Sequence, residues 1–163
     1  MWTKQSKMAA LQEAYIRVAS LFEILELNAH QKRAIQAIVV DKKDVFVNLP
    51  TGFGKSLIYQ SVPFVFDHVN KSAGHIVVVV SPLVSLMDDQ VKILTDLGLS
   101  AISISSQEEL DVTKIEKGEY SIVFGSPGAW LMNGRWRRML DNHVYSNKLC
   151  AVAIDEAHVL RQW

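Results

Sequence analysis

The residues best suited to chemistry are Leu49-Pro50-Thr51-Gly52-Phe53-Gly54-Lys55-Ser56. They follow a short apolar run, Asp44 to Asn48, and lead into Leu57-Ile58-Tyr59-Gln60, a segment that can be helical. Strand, glycine loop, Gly-Lys-Ser and helix is the layout of a phosphate-binding loop. Gly52 and Gly54 let the backbone curl so that successive N–H groups point into one concavity, and the new helix adds its positive N-terminal dipole there. Thr51 to Gly54 would line that cradle, Lys55 would reach the β- and γ-phosphates, and the Ser56 hydroxyl would ligate Mg²⁺. The strict pattern G-x-x-x-x-G-K-S/T has Gly where this chain has Leu49. The alternative is a glycine-rich turn ahead of a helix that binds nothing.

Hydrolysis of a bound nucleotide also needs a metal anchor and a group that activates water. Asp155 closes the apolar run Cys150-Ala151-Val152-Ala153-Ile154 and can hold Mg²⁺. Glu156 beside it can serve as general base toward the attacking water. His158 can link the nucleotide state to another part of the protein. A surface turn is the alternative for an acidic pair, but its place after an apolar strand and downstream of a phosphate loop favours metal binding and catalysis.

Elements to position these residues follow from the apolar spacing. Met8, Leu11, Tyr15, Val18, Phe22 and Leu25 alternate by three and four, which predicts a helix over 6–27 with one buried stripe. Asn28 can cap a second helix from Ala29 to about Val40. After the phosphate loop a helix is expected to Gln60 or Val62, broken near Pro63 and resuming to about Val69. Ile76 to Val80 is apolar at every position, as suits a parallel strand buried on both faces. Leu83 to Leu97 reads as a helix stopped by Gly98. Further strands are expected at 101–104, 121–124 and 150–154, with a polar helix over 108–117 and a single helix over 129–140. Five strands, counting the run before the phosphate loop, alternate with helices, so the expected fold is α/β: a parallel sheet with helices on both faces. The expected division is an N-terminal helical segment, 1–28, and one domain, 29–163. Ligands on such sheets bind beyond the carboxyl ends of the strands. The phosphate loop, Ser81-Pro82, Ser126-Pro127 and Asp155-Glu156 are therefore expected along one edge.

The chain has 163 residues, 49% of them hydrophobic and 21% charged, with a formal net charge of zero. That composition fits a soluble globular domain, and nucleic acid could be held only by a local patch. A single cysteine excludes an internal disulfide and fits a reducing compartment. The five histidines are scattered without zinc spacing. The Ile76–Val80 run is too short to span a bilayer, and the first residues lack a secretory apolar stretch.

Taken together, the loop, the block Ser81-Pro82-Leu83-Val84-Ser85-Leu86-Met87-Asp88-Asp89-Gln90, Ser126-Pro127 and Asp155-Glu156-Ala157-His158 resemble the first motor domain of superfamily 2 helicases, and most specifically the RecQ branch. In that branch the phosphate loop commonly begins with an apolar residue, which accommodates Leu49. The resemblance implies a RecA-like P-loop NTPase domain of the DEAH-box type that uses ATP and Mg²⁺ to move 3′→5′ on single-stranded DNA and to separate a duplex. It implies that Lys55 and Ser56 hold phosphates and Mg²⁺, Asp155 the Mg²⁺ and Glu156 the catalytic water. Ser81, Pro82, Ser126 and Pro127 would touch the DNA backbone. Gln162 and Trp163 match the start of the aromatic-rich loop that links DNA binding to hydrolysis, and His158 would couple the two. Gln31 falls on the family's adenine-reading glutamine. DNA repair and recombination in the nucleus are the expected setting, or the cytoplasm for a bacterial or inactive fragment.

Three departures accompany the resemblance. Ile24 stands at the family's aromatic adenine-stacking position, Asn28 at its arginine, and Gly128 at the glutamate that usually follows Ser126-Pro127. The chain also stops within the aromatic-rich loop, so a second motor lobe with its arginine finger is expected to be missing. Two readings stay open: the ATP-binding lobe of a RecQ-type helicase, and an inert ATP-binding regulatory module or fragment. An RNA helicase is disfavoured by the block after Val80. Within Arg135-Trp136-Arg137-Arg138, Trp136 is expected in the core rather than stacked on a base.

Overall fold

The computed structural model describes residues 2–105 and 109–158. The chain forms two compact units, Met1–His75 and Ile76–Trp163.

The first unit holds three helices. Helix α1 (Lys4–Leu21) starts where the Thr3 hydroxyl accepts the Ser6 N–H at 3.1 Å. Its buried stripe is Leu11, Ala14, Tyr15 and Val18, the spacing expected from the sequence. The helix ends six residues before the expected Leu27, because Glu23 takes a left-handed φ of 53° and its N–H closes on the Ser20 carbonyl. Leu25 is fully exposed, so the apolar periodicity outran the helix.

Helix α2 (Ala29–Val39) begins at Asn28 with a reciprocal capping box. The Asn28 side chain accepts the Gln31 N–H, and the Gln31 side chain accepts the Asn28 N–H, each at 2.9 Å. The Tyr15 hydroxyl donates to the Lys32 carbonyl at 2.8 Å, tying α1 to α2, and burial pushes its pKa up to about 12.

Helix α3 (Lys55–Asn70) runs unbroken through Pro63, where the sequence predicted a break. A mid-helix proline costs about 3 kcal/mol. Here Ile58 and Val62 on one side of it, and Val65, Phe66 and Val69 on the other, form one buried stripe that a break would disrupt. Packing therefore outweighs the local penalty.

The second unit is a parallel four-stranded sheet in the order β2-β3-β1-β4, built from β1 (Ile76–Val80), β2 (Ala101–Ser103), β3 (Ile122–Gly125) and β4 (Leu149–Ile154). The expected α/β class holds, with four strands among the described residues in place of five. The run 44–48 belongs to no strand, since among the described residues no neighbour pairs with it, and Phe46 is 83% exposed.

Helix α4 (Val84–Asp96) follows β1 and packs on β2 and β3. It stops as expected at Gly98, φ 79°, where the N–H groups of Gly98 and Leu99 reach back to Thr95 and Leu94 at 2.9 Å. Helix α5 (Glu109–Glu116) carries Ile115 into the core.

The single helix expected over 129–140 is two, α6 (Pro127–Met132) and α7 (Gly134–Asp141). Asn133 adopts an extended backbone and caps α7 through the Arg135 N–H. A further helix, α8 (His143–Lys148), is capped by Asn142 and has no counterpart among the expected elements.

One core cluster joins Ile76, Val78 and Val123 of the sheet to Ile104, Ile115, Trp130, Trp136, Met139 and Tyr145. Trp136 is 4% exposed, so the core reading of the basic segment holds. Arg135 instead clasps Glu116, with Nε and one terminal nitrogen 2.6 and 2.9 Å from its two oxygens. That hydrogen bond, above all, lowers the Glu116 pKa. Trp136→Ala is expected to cost about 3–5 kcal/mol in urea unfolding. A loss below about 1 kcal/mol would mean the site collapses without a cavity.

Candidate functional site

The phosphate loop belongs to the first unit. The Phe53 N–H closes a turn on the Pro50 carbonyl at 3.3 Å, and Gly52 and Gly54 take φ of 90° and 72°. Those left-handed values are open to glycine at no steric cost. Gly54 is the N-cap residue of α3, and no side chain caps the helix there. The first N–H groups of α3 are thus left to an external acceptor, with Lys55 and Ser56 in the first turn and both half-buried. Thr51, Gly52 and Phe53 line the exposed rim. The arrangement suits an anion with several oxygens, as a polyphosphate has.

The loop is braced from α2. The Gln31 Nε2 donates to the Gly54 carbonyl at 3.1 Å, and the Asn28 Nδ2 donates to the Phe53 carbonyl at 3.4 Å. Gln31 and Gly54 are 23 positions apart, and neither residue type nor spacing discloses that the Gln31 amide braces the loop backbone. A Cβ at Gly54 would lie 2.4 Å from Gln31 Nε2, whereas one at Gly52 would meet nothing within 4 Å. Both glycines have positive φ, so alanine at either carries a backbone penalty of about 1–2 kcal/mol. Gly54→Ala is expected to lose more than Gly52→Ala in denaturant unfolding, because it also displaces Gln31. Equal losses would show that the brace contributes nothing.

In the second unit, Ser81, Ser126 and Asp155 follow directly on β1, β3 and β4, three neighbouring strands in parallel register. The Ser81 N–H donates to the Gly125 carbonyl at 3.0 Å and the Asp155 N–H to the Val80 carbonyl at 2.9 Å. Three of the sequence motifs therefore do share one carboxyl edge of the sheet.

Their side chains differ in access. Ser81 is 1% exposed and its hydroxyl is without a hydrogen-bond partner among the described residues, while Pro82 is half-buried. Leu83, Val84 and Ser85 just beyond are exposed. Ser126 caps α6 by accepting the Ala129 N–H at 3.1 Å, and Pro127 is buried at the first helical position. Trp130 is a residue that motif reading missed. Its indole N–H donates to the Val79 carbonyl at 3.3 Å, and its ring occupies the space a Cβ on Gly125 would fill.

At the end of β4, Glu156 takes φ 53°, an uncommon conformation for a non-glycine residue. Its N–H donates to its neighbour's carboxylate, Asp155 Oδ1, at 3.0 Å. Its own carboxylate lies 3.3 Å from His158 Nδ1. The acidic pair is thus held in a strained turn with the histidine against it, the kind of strain that gathers at functional sites. Gln162 and Trp163 lie outside the described residues.

The parallel sheet with its helices defines a RecA-like α/β domain. The chain belongs to the DEAD/DEAH box helicase family, which its residues 28–163 match. Similar proteins include the ATP-dependent DNA helicase Q-like 2 of Arabidopsis thaliana, 35% identical over 88% of this chain and 20% of that protein. The ATP-dependent helicase SGS1 of Saccharomyces cerevisiae is 33% identical over 93% of this chain and 10% of its own length. The ATP-dependent DNA helicase RecQ of Haemophilus influenzae is 31% identical over 97% of this chain and 24% of its own. This chain therefore spans a quarter or less of these relatives. Among the described residues no helix is long and apolar enough to cross a membrane.

Proposed function

We propose that the chain is the ATP-binding motor lobe of a RecQ-type, ATP-dependent 3′→5′ DNA helicase. The observation that carries the reading is the phosphate loop, a glycine-shaped cradle opening on the uncapped start of α3. Lys55 neutralises the β- and γ-phosphates while the N–H groups around it bind their oxygens. The Ser56 hydroxyl and the Asp155 carboxylate are the hard oxygen donors that Mg²⁺ prefers, and the metal would supply neutralising charge. Glu156 takes the proton of the attacking water, with His158 against its carboxylate coupling that step to DNA.

Single-stranded DNA is the expected polymer because the relatives bear the names of DNA helicases. On this reading Ser81-Pro82 and Ser126-Pro127 position the backbone contact at the carboxyl edge of the sheet, and the half-buried Ser126 hydroxyl and the exposed residues 83–85 supply the groups that a neutral domain can offer to phosphates. Gln162 and Trp163 would extend that contact. Unwinding requires a second motor lobe, which this reading places outside the 163 residues. The setting is DNA repair and recombination, in the nucleus of a eukaryotic cell.

Fluorescence anisotropy with labelled single-stranded DNA and RNA of one sequence, in Mg²⁺ and a non-hydrolysable ATP analogue, tests the reading. Tighter, salt-sensitive binding to DNA is expected. A preference for RNA would move the chain to the RNA helicases of the same superfamily.

A further inference from the structure

Ser81 follows β1 with its side chain 1% exposed and its hydroxyl without a hydrogen-bond partner among the described residues. Other serines at the carboxyl ends of the strands are engaged. Ser126 Oγ accepts the Ala129 N–H at 3.1 Å, and Ser103 Oγ lies 2.6 Å from Ser105 Oγ. A buried hydroxyl left unpaired is destabilising, so Ser81 calls for a partner outside the polypeptide. Burial also keeps that hydroxyl from the phosphates of a polymer.

The sheet register locates it. Val78 and Val80 pack on the core cluster around Trp130, so strand alternation sends Val79 and Ser81 to the opposite face. On the neighbouring strand Ala153 and Ile154 pair with Val79 and Val80. The Asp155 N–H on the Val80 carbonyl, at 2.9 Å, carries the ladder one step further. Ser81 and Asp155 are thus matched positions on adjacent parallel strands, and matched positions project from the same face. The orphan hydroxyl stands beside the carboxylate assigned to Mg²⁺, whose Oδ1 accepts the Glu156 N–H at 3.0 Å.

A hydrated divalent cation fits these two groups. Carboxylate oxygen is a ligand that Mg²⁺ favours, and the bound ion keeps several of its waters. Such a water can bridge to a hydroxyl that makes no direct bond to the carboxylate. We propose that Ser81 is a positioning residue of the metal site, its hydroxyl binding a water of the Mg²⁺ shell that Asp155 anchors. The proposal rests on the reading of Asp155 as a metal ligand and gives the Ser81 hydroxyl a task other than touching DNA.

The test is a titration of Mn²⁺, standing in for Mg²⁺, into the 163-residue chain saturated with a non-hydrolysable ATP analogue. Water-proton relaxation reads the metal held in the slowly tumbling complex, with no turnover required. Losing an outer partner of a metal site typically weakens the metal by about 10–100-fold. Ser81→Ala is expected to raise the half-saturating Mn²⁺ concentration by that factor, and Asp155→Asn by at least as much. In EDTA, Ser81→Ala is expected to unfold at the wild-type urea concentration or above it, since an unpaired hydroxyl is removed. A midpoint within about threefold of wild type in Ser81→Ala, beside a weakened Asp155→Asn, would overturn the proposal. So would a Ser81→Ala chain that is destabilised in EDTA, the mark of a purely structural hydroxyl. No relaxation enhancement in the wild type, or an unmoved midpoint in Asp155→Asn, would instead refute the nucleotide and metal reading, a distinguishable result.

Discussion

Lys55→Ala is expected to weaken nucleotide binding by about one to two orders of magnitude while leaving the fold intact. Lys55 is the first residue of α3, directly after Gly54, and makes no ion pair among the described residues. It therefore has no structural partner to abandon, and alanine is the better helix former. What is lost is a charge-assisted bond to phosphate, worth about 1.5–3 kcal/mol, or roughly ten- to 150-fold in affinity. Calorimetric titration measures the affinity and circular dichroism the fold. Wild-type affinity in the variant would place the phosphates elsewhere.

Glu156→Gln is expected to keep binding and remove turnover. The amide preserves the side chain's size and can still hydrogen-bond to His158, 3.3 Å from the present carboxylate. It cannot take a proton from water at neutral pH. General-base catalysis contributes about 10²–10⁴ in rate, so hydrolysis should fall by that factor. The assay is DNA-stimulated phosphate release by the chain fused to the second motor lobe of a RecQ-type helicase. Retained turnover would assign the base to another residue. No turnover in the fused wild type would favour the inert nucleotide-binding module.

Much of the architecture was legible because its signals are local. Asn28 announces the start of α2 by its own capping side chain, and Gly98 ends α4 by its own backbone freedom. The β1 run is apolar at every position and can only be buried. The errors come where distant contacts outweigh local preference. Pro63 sits inside α3 because the stripe on either side of it is buried, and Phe46 stays exposed because pairing, not composition, makes a strand. Asn133 and Asn142 cut the basic segment into short helices through caps that resemble ordinary polar helix positions.

The site divides the same way. Glycine spacing and the acidic pair disclose the loop and the turn after β4. The amide bridge from Gln31 to Gly54, and the Trp130 indole on a carbonyl 51 positions away, exist only once the chain is folded. The strained φ of Glu156 is likewise invisible in its residue type.

The most direct test of the nucleotide site is thermal unfolding of the chain with and without Mg²⁺-ATP, beside Lys55→Ala. Ligand at a hundred times its Kd adds about 2.7 kcal/mol to stability. At roughly 2–4 °C per kcal/mol for a chain of this size, the predicted rise is about 5–11 °C. That rise in the wild type, and one cut to about 0.3–1.4 kcal/mol in Lys55→Ala by the ten- to 150-fold loss of affinity, is the predicted result. A cooperative transition that Mg²⁺-ATP leaves unmoved in the wild type would contradict it.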